Sequence, residues 1–125
     1  MKVLYIVRGI PGSGKTTYAE GLGLKHHYET DQFWGEDYAF DPSRLREAHQ
    51  WCQDVTETAL ADGNDVVVSN TFIRQWEIEP YRRMAERHQA DVVEHICRGS
   101  YQSVHNVPDQ IVAKMERQFE EHAGR

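Results

Sequence analysis

A chain of 125 residues with 39% hydrophobic content has the length for one core and little beyond it, so a single domain over residues 1–125 is expected. With 14 Lys and Arg against 20 Asp and Glu, the net charge of −6 excludes a passive nucleic-acid coat resting on a broad basic surface. The two cysteines, Cys52 and Cys97, exclude a disulfide scaffold and a four-thiolate metal site, and both sit in apolar patterns that mark reduced core positions.

The predicted elements alternate from the start. Val3-Leu4-Tyr5-Ile6-Val7 reads as a buried parallel strand, and Lys15 onward reads as a helix. Lys25 to Glu29 is a weak, polar strand candidate leading into Thr30-Asp31. Asp41 caps a helix that has Pro42 at its first position; its inner face repeats through Leu45, Ala48, Cys52, Val55 and Ala59 until Asp62-Gly63-Asn64 stops it. Val66-Val67-Val68 is a third strand. Ile78, Tyr81, Ala85 and His88 mark a third helix, and Val92 to Cys97 a fourth strand. Pro108 opens a last helix with Ile111, Val112, Met115 and Phe119 on its inner side. The order predicts an α/β fold, a three-layer sandwich with a four-stranded parallel sheet wrapped by helices and a short lid. The apolar run after Lys2 is shorter than a signal-peptide core and no segment has membrane-spanning length. A cytoplasmic protein is expected, in the host cytoplasm if viral, with no membrane partner and a monomeric or small homo-oligomeric state.

Between the first strand and first helix lies G-I-P-G-S-G-K-T-T, Gly9 to Thr17, which fits G-x-x-x-x-G-K-[ST] in the strand-to-helix context that a P-loop requires. Gly9, Pro11, Gly12, Ser13, Gly14, Lys15, Thr16 and Thr17 form the expected nucleotide cradle. Its glycines let successive N–H groups face one polyphosphate, Lys15 reaches the β- and γ-phosphates, and the Thr16 hydroxyl holds Mg²⁺.

In such a sheet, ligands sit outside the carboxyl ends of the strands, so the residues after each strand decide among P-loop chemistries. No N-K-x-D base reader for guanine is present. The strand Val66 to Val68 ends in Ser69-Asn70 rather than in the acid an ATP-driven motor uses for metal and water. Asp31, after the second strand, is placed to accept the proton of an acceptor hydroxyl, which is kinase chemistry; a turn cap or a ligand to metal-bound water are the alternatives for it. Phe33, Trp34, Tyr38 and Phe40 could stack a base or pack the core. Arg44, Arg46 and Arg74 could meet acceptor phosphates or solvent, and Tyr101, Gln102 and His105 belong to the expected lid. The seven histidines are scattered, and His26-His27 lacks a third ligand at metal-site spacing, so no zinc is assigned.

Gly9 to Thr17, T-D-Q-F at Thr30 to Phe33, S-N-T at Ser69 to Thr71 and V-P-D-Q-I-V-A-K-M at Val107 to Met115 resemble the small P-loop kinases grouped with phage polynucleotide kinase, over nearly the whole chain. The resemblance implies Asp31 as general base, Lys15 on the phosphates, and a lid arginine on the transferred phosphoryl group. It also implies ATP and Mg²⁺ as cofactors and nucleic acid, DNA in particular, as acceptor. Related phage enzymes phosphorylate the hydroxymethyl group of 5-hydroxymethyluracil in DNA, and that acceptor is preferred here because a short lid leaves an open cleft. A polynucleotide 5′-hydroxyl, a nucleoside, and an ATP-binding interaction module without turnover are the alternatives; Asn70-Thr71 and Trp76-Glu77 look like the similar domain of ubiquitin-ligase-binding proteins. Two positions depart from the family. Asn70 stands where an aspartate is usual, leaving it a candidate metal contact beside Thr16. The lid, Gly99 to Val107, lacks an arginine-rich stretch, which makes Arg98 the nearest catalytic cation; Arg117 and Lys114 read as surface charges.

Overall fold

Valine-rich runs with no polar interruption form strands that are buried on both faces, and two of them make the centre of the sheet. The computed structural model describes residues 2–37, 39–99 and 108–120. Strands β1 (Val3–Arg8), β2 (His26–Tyr28), β3 (Val66–Ser69) and β4 (Asp91–Ile96) alternate with helices α1 (Lys15–Gly21), α2 (Leu45–Ala61), α3 (Gln75–Arg87) and α4 (Asp109–Gln118). The sheet runs in the order β2-β3-β1-β4, all parallel, with Leu4 beside Val66, Tyr28 beside Val68 and Val7 beside His95.

The alternation of side chains across the pleat divides the core in two. Leu4, Ile6, Val66 and Val68 face a cluster with Cys52, Leu60, Ile78, Tyr81 and Met84 of α2 and α3. Val7 and Val67 face Ala19 of α1 and Cys97 on the other side. Helices on both faces give the three-layer α/β arrangement. Both cysteines are buried and free, and burial pushes the Cys52 thiol up.

Helix boundaries follow local chemistry. Asp41 accepts hydrogen bonds from the Ser43 amide and hydroxyl at 3.0 and 2.7 Å, and Pro42–Arg44 forms a 3₁₀ turn that leads into α2. Gly63, at φ +90°, ends α2 where a side chain would be strained. Glu77 accepts from the Arg74 amide at 2.8 Å and caps α3.

One expectation changes. Helix α4 forms after Pro108, but its apolar stripe is only partly covered: Val112 and Met115 are half-buried and Ile111 is 43% exposed. Periodicity shows that a stripe exists, not that a partner covers it. Phe119 instead lies under the guanidinium of Arg8, 4.5 Å from its ring centre. Arg8 itself is fully buried; it donates to the carbonyls of Phe72 and Glu120 and so ties the chain after α4 to the chain after β3. Among the described residues, no helix is long and apolar enough to cross a membrane. Tyr38 and residues 100–107, with the lid candidates Tyr101, Gln102 and His105, lie outside the described residues.

Candidate active site

Because every strand points the same way, the residues after β1, β2, β3 and β4 meet at one edge. The loop after β1 is the best defined of these. Gly12 and Gly14 take φ +83° and +92°, conformations that side chains rarely adopt, and Ser13 N donates to Ile10 O at 3.1 Å. The loop is anchored on both sides: Gly9 N donates to Thr71 O at 3.3 Å, after β3, and Gly99 N donates to Ser13 O at 3.1 Å, after β4. At Gly9 a Cβ would lie 2.2 Å from Ser13 Oγ and 2.8 Å from the Cys97 carbonyl oxygen. The carbonyl belongs to the backbone and cannot swing away. Gly9→Ala is therefore expected to cost about 1–3 kcal/mol of stability and to weaken nucleotide binding. Thermal melting and a nucleotide titration check this, and unchanged values in both would show that the loop relaxes.

Lys15 opens α1 and folds back, its Nζ donating to Ile10 O at 3.2 Å. Burial pushes its ammonium below the usual lysine range, opposed by nearby Glu29, Cys97 and Asp31. With the folded value below the unfolded one, the charge costs the fold stability at every lower pH. Lys15→Met should thus melt no lower than wild type, while ATP affinity falls by about 10- to 100-fold for the loss of a charged phosphate contact. Melting curves with and without ATP read both effects, and a variant that melts lower but binds ATP normally would contradict this assignment.

Next to Lys15, the Thr16 hydroxyl donates to Glu29 Oε2 at 2.9 Å. The same oxygen meets Ser69 Oγ at 2.6 Å and His27 Nε2 at 3.0 Å. Burial alone would raise the Glu29 carboxyl, but hydrogen bonds from His27, Ser69 and Thr16 outweigh it and hold the group below the ordinary carboxylate range. Glu29 was not among the sequence candidates, although it directly follows β2, where the strand-end rule would have pointed. The hydroxyl of Thr16, beside carboxylate and hydroxyl oxygens, fits a hard cation of the Mg²⁺ type, which takes few protein ligands alongside phosphate oxygens.

Asp31 is exposed, in a 3₁₀ turn (Thr30–Trp34) that follows β2. The turn is pinned from across the sheet: Asn70 Oδ1 accepts from Thr30 N at 2.8 Å, and Asn70 Nδ2 lies 3.7 Å from Cys52 Sγ. The Asn70 amide thus links the Asp31 turn, through Thr30, to Cys52 of α2. After β4, Arg98 is exposed and its backbone is bracketed against the P-loop by Cys97 N to Arg8 O at 2.7 Å and Gly99 N to Ser13 O at 3.1 Å.

A loop tied to two strand ends, a half-buried lysine at its exit and an acid-lined floor beside it place this chain among P-loop proteins. Residues 4–102 match the AAA domain family. The chain belongs to this family. This AAA domain is similar to the human NEDD4-binding protein 2, with 32% identity over 98 residues, which is 73% of the chain but only 6% of that protein's length. Its fold is similar to a chain of the Pnkp1/Rnl/Hen1 RNA repair complex, with a TM-score of 0.64 and 17% identity over 97% of this chain and 39% of that one. It is also similar to the Mycobacterium tuberculosis APS kinase CysC, solved with AMPPNP and APS, with a TM-score of 0.59 and 17% identity over 92% and 68% of the two chains. The α/β fold with a four-stranded parallel sheet is thus that of P-loop kinases.

Around the centre of the AAA domain, the acceptor candidates separate. Phe33 is half-buried beside Trp34 and Trp51, and the Arg44 guanidinium lies 5.0 Å from its ring centre. Arg44 also pairs with Glu47 at 3.1 Å. Trp34 is only 6% exposed and meets Phe33 and Phe40 edge-on, so its indole serves packing and not an acceptor. Arg74 pairs with Glu120 at 3.1 Å, joining the start of α3 to the chain after α4.

Proposed function

We propose that this AAA domain is an ATP-dependent kinase that transfers the γ-phosphate to a hydroxyl on nucleic acid. The observation that carries the reading is the convergence of Lys15, Thr16 and Asp31 on one sheet edge, the P-loop side chains on one side and an exposed carboxylate on the other. The P-loop amides and Lys15 would hold the β- and γ-phosphates of ATP. Bound Mg²⁺ would supply charge neutralisation between them, with Thr16 as its P-loop ligand. Asp31 would accept the proton of the attacking hydroxyl, and Arg98 would steady the equatorial oxygens of the moving phosphoryl group. The kinase fold of CysC, solved with AMPPNP, supports ATP as donor.

Two features support nucleic acid as the acceptor. Phe33 and Arg44 together offer an aromatic face and a cation one turn from Asp31, suited to a base and its phosphate. The RNA repair complex shares the fold. The sequence resemblance points to the hydroxymethyl group of 5-hydroxymethyluracil in DNA; a 5′-hydroxyl end is the second reading, favoured by the RNA repair likeness. Initial rates on hydroxymethyluracil DNA, 5′-hydroxyl DNA and RNA oligonucleotides, and free nucleosides test this. A nucleic-acid substrate should be fastest, and a free nucleoside outpacing all of them would contradict the acceptor class.

A further inference from the structure

Strand β3 ends in Ser69-Asn70 with no acid, and Asn70 is committed to Thr30, so the P-loop hydroxyl has no carboxylate from the central strand. The register supplies one from the neighbouring strand. Tyr28 pairs with Val68, which places Glu29 and Ser69 side by side at the ends of β2 and β3. Their side chains touch at 2.6 Å, and both reach the corner occupied by the Thr16 hydroxyl.

We infer that Glu29 is the carboxylate of the divalent-cation site, acting with Thr16 on a Mg²⁺ that arrives with the nucleotide. This rests on the nucleotide-binding reading proposed above. Two observations set Glu29 apart from an ordinary ion pair. Its hydrogen bonds from Thr16, His27 and Ser69 all converge on Oε2, and among the described residues none is made to Oε1, leaving one carboxylate oxygen for a ligand. Its side chain is only 19% exposed, and the lysine beside it, Lys15, is itself assigned to phosphate. A dication at this corner compensates a buried carboxylate once Lys15 turns to the nucleotide.

The geometry also says that the carboxylate can come from either strand. An acid at position 69 would project to the point where Ser69 Oγ now meets Glu29. The test is Mn²⁺ binding to the full chain at saturating ADP, read from the electron paramagnetic resonance of free Mn²⁺, with metal-free ADP affinity measured by calorimetry. Glu29→Gln should weaken Mn²⁺ binding about 10- to 100-fold while metal-free ADP binding stays near wild type. Ser69→Asp added to Glu29→Gln should recover most of the loss. Unchanged Mn²⁺ affinity in Glu29→Gln overturns the inference. So does a loss of metal-free ADP binding in that variant, which would make Glu29 a support for the loop. A wild type that binds no ADP at all overturns the nucleotide reading itself, a result distinct from both.

Discussion

Arg98→Ala is expected to slow phosphoryl transfer by about 10³- to 10⁵-fold while ATP affinity changes little, the range known for an arginine that meets the transferring group. The transition state is loose, with charge spread over three equatorial oxygens, and a planar guanidinium can bridge two of them where an ammonium cannot. Arg98 is the proposed residue for that duty because of its place in the chain. It follows β4, and hydrogen bonds of Cys97 and Gly99 on either side of it fix its backbone against Arg8 and Ser13 of the β1 strand and P-loop. Arg98→Lys should therefore restore little. Steady-state kinetics on both variants decide it. Near wild-type turnover in Arg98→Ala would pass the role to another cation, with Arg44 the first candidate because it already lies beside the Asp31 turn.

Asp31→Asn should retain ATP binding and lose about 10²- to 10⁴-fold in turnover, the usual contribution of a positioned general base. Asparagine keeps the shape of the side chain and leaves the turn pinned by Asn70 and Thr30, so a folding defect is not expected. The loss should be confined to kcat. Weakened metal-nucleotide affinity with unchanged kcat would instead make Asp31 a ligand of the cation, in competition with Glu29. The two residues are thus separable by the parameter that each one moves.

Much of the sheet was legible because its two central strands are unbroken apolar runs and the P-loop joins one of them to a helix at a fixed spacing. Most of the inner face of α2 was legible for the same reason: Ala48, Cys52 and Ala59 repeat at helical intervals and are buried, whereas Val55 is half-buried and Leu45, at the start of the helix, is exposed. The floor of the site was not. Glu29 becomes informative only when the β2–β3 register brings it to Ser69 and Thr16, which are 40 and 13 positions away in the chain. The strand-end position of Asn70 was legible, while its hydrogen bond to Thr30 was not, because that pairing depends on the β2–β3 register. Trp34 followed Phe33 in an aromatic cluster, and nothing in the spacing says which ring packs inward. The stripe on α4 is only partly covered, and amphipathicity records a face without recording its cover.

The most direct test of the central claim is the fate of the label when γ-labelled ATP is incubated with Mg²⁺ and a mixture of hydroxyl-bearing nucleic acids and nucleosides. A kinase built on Lys15 and Asp31 moves the label to an acceptor as a phosphomonoester, and the Lys15→Met variant does not. Label that stays on bound ATP, or that appears only as inorganic phosphate whatever acceptor is present, would contradict the kinase account and leave an ATP-binding or ATP-hydrolysing module in its place.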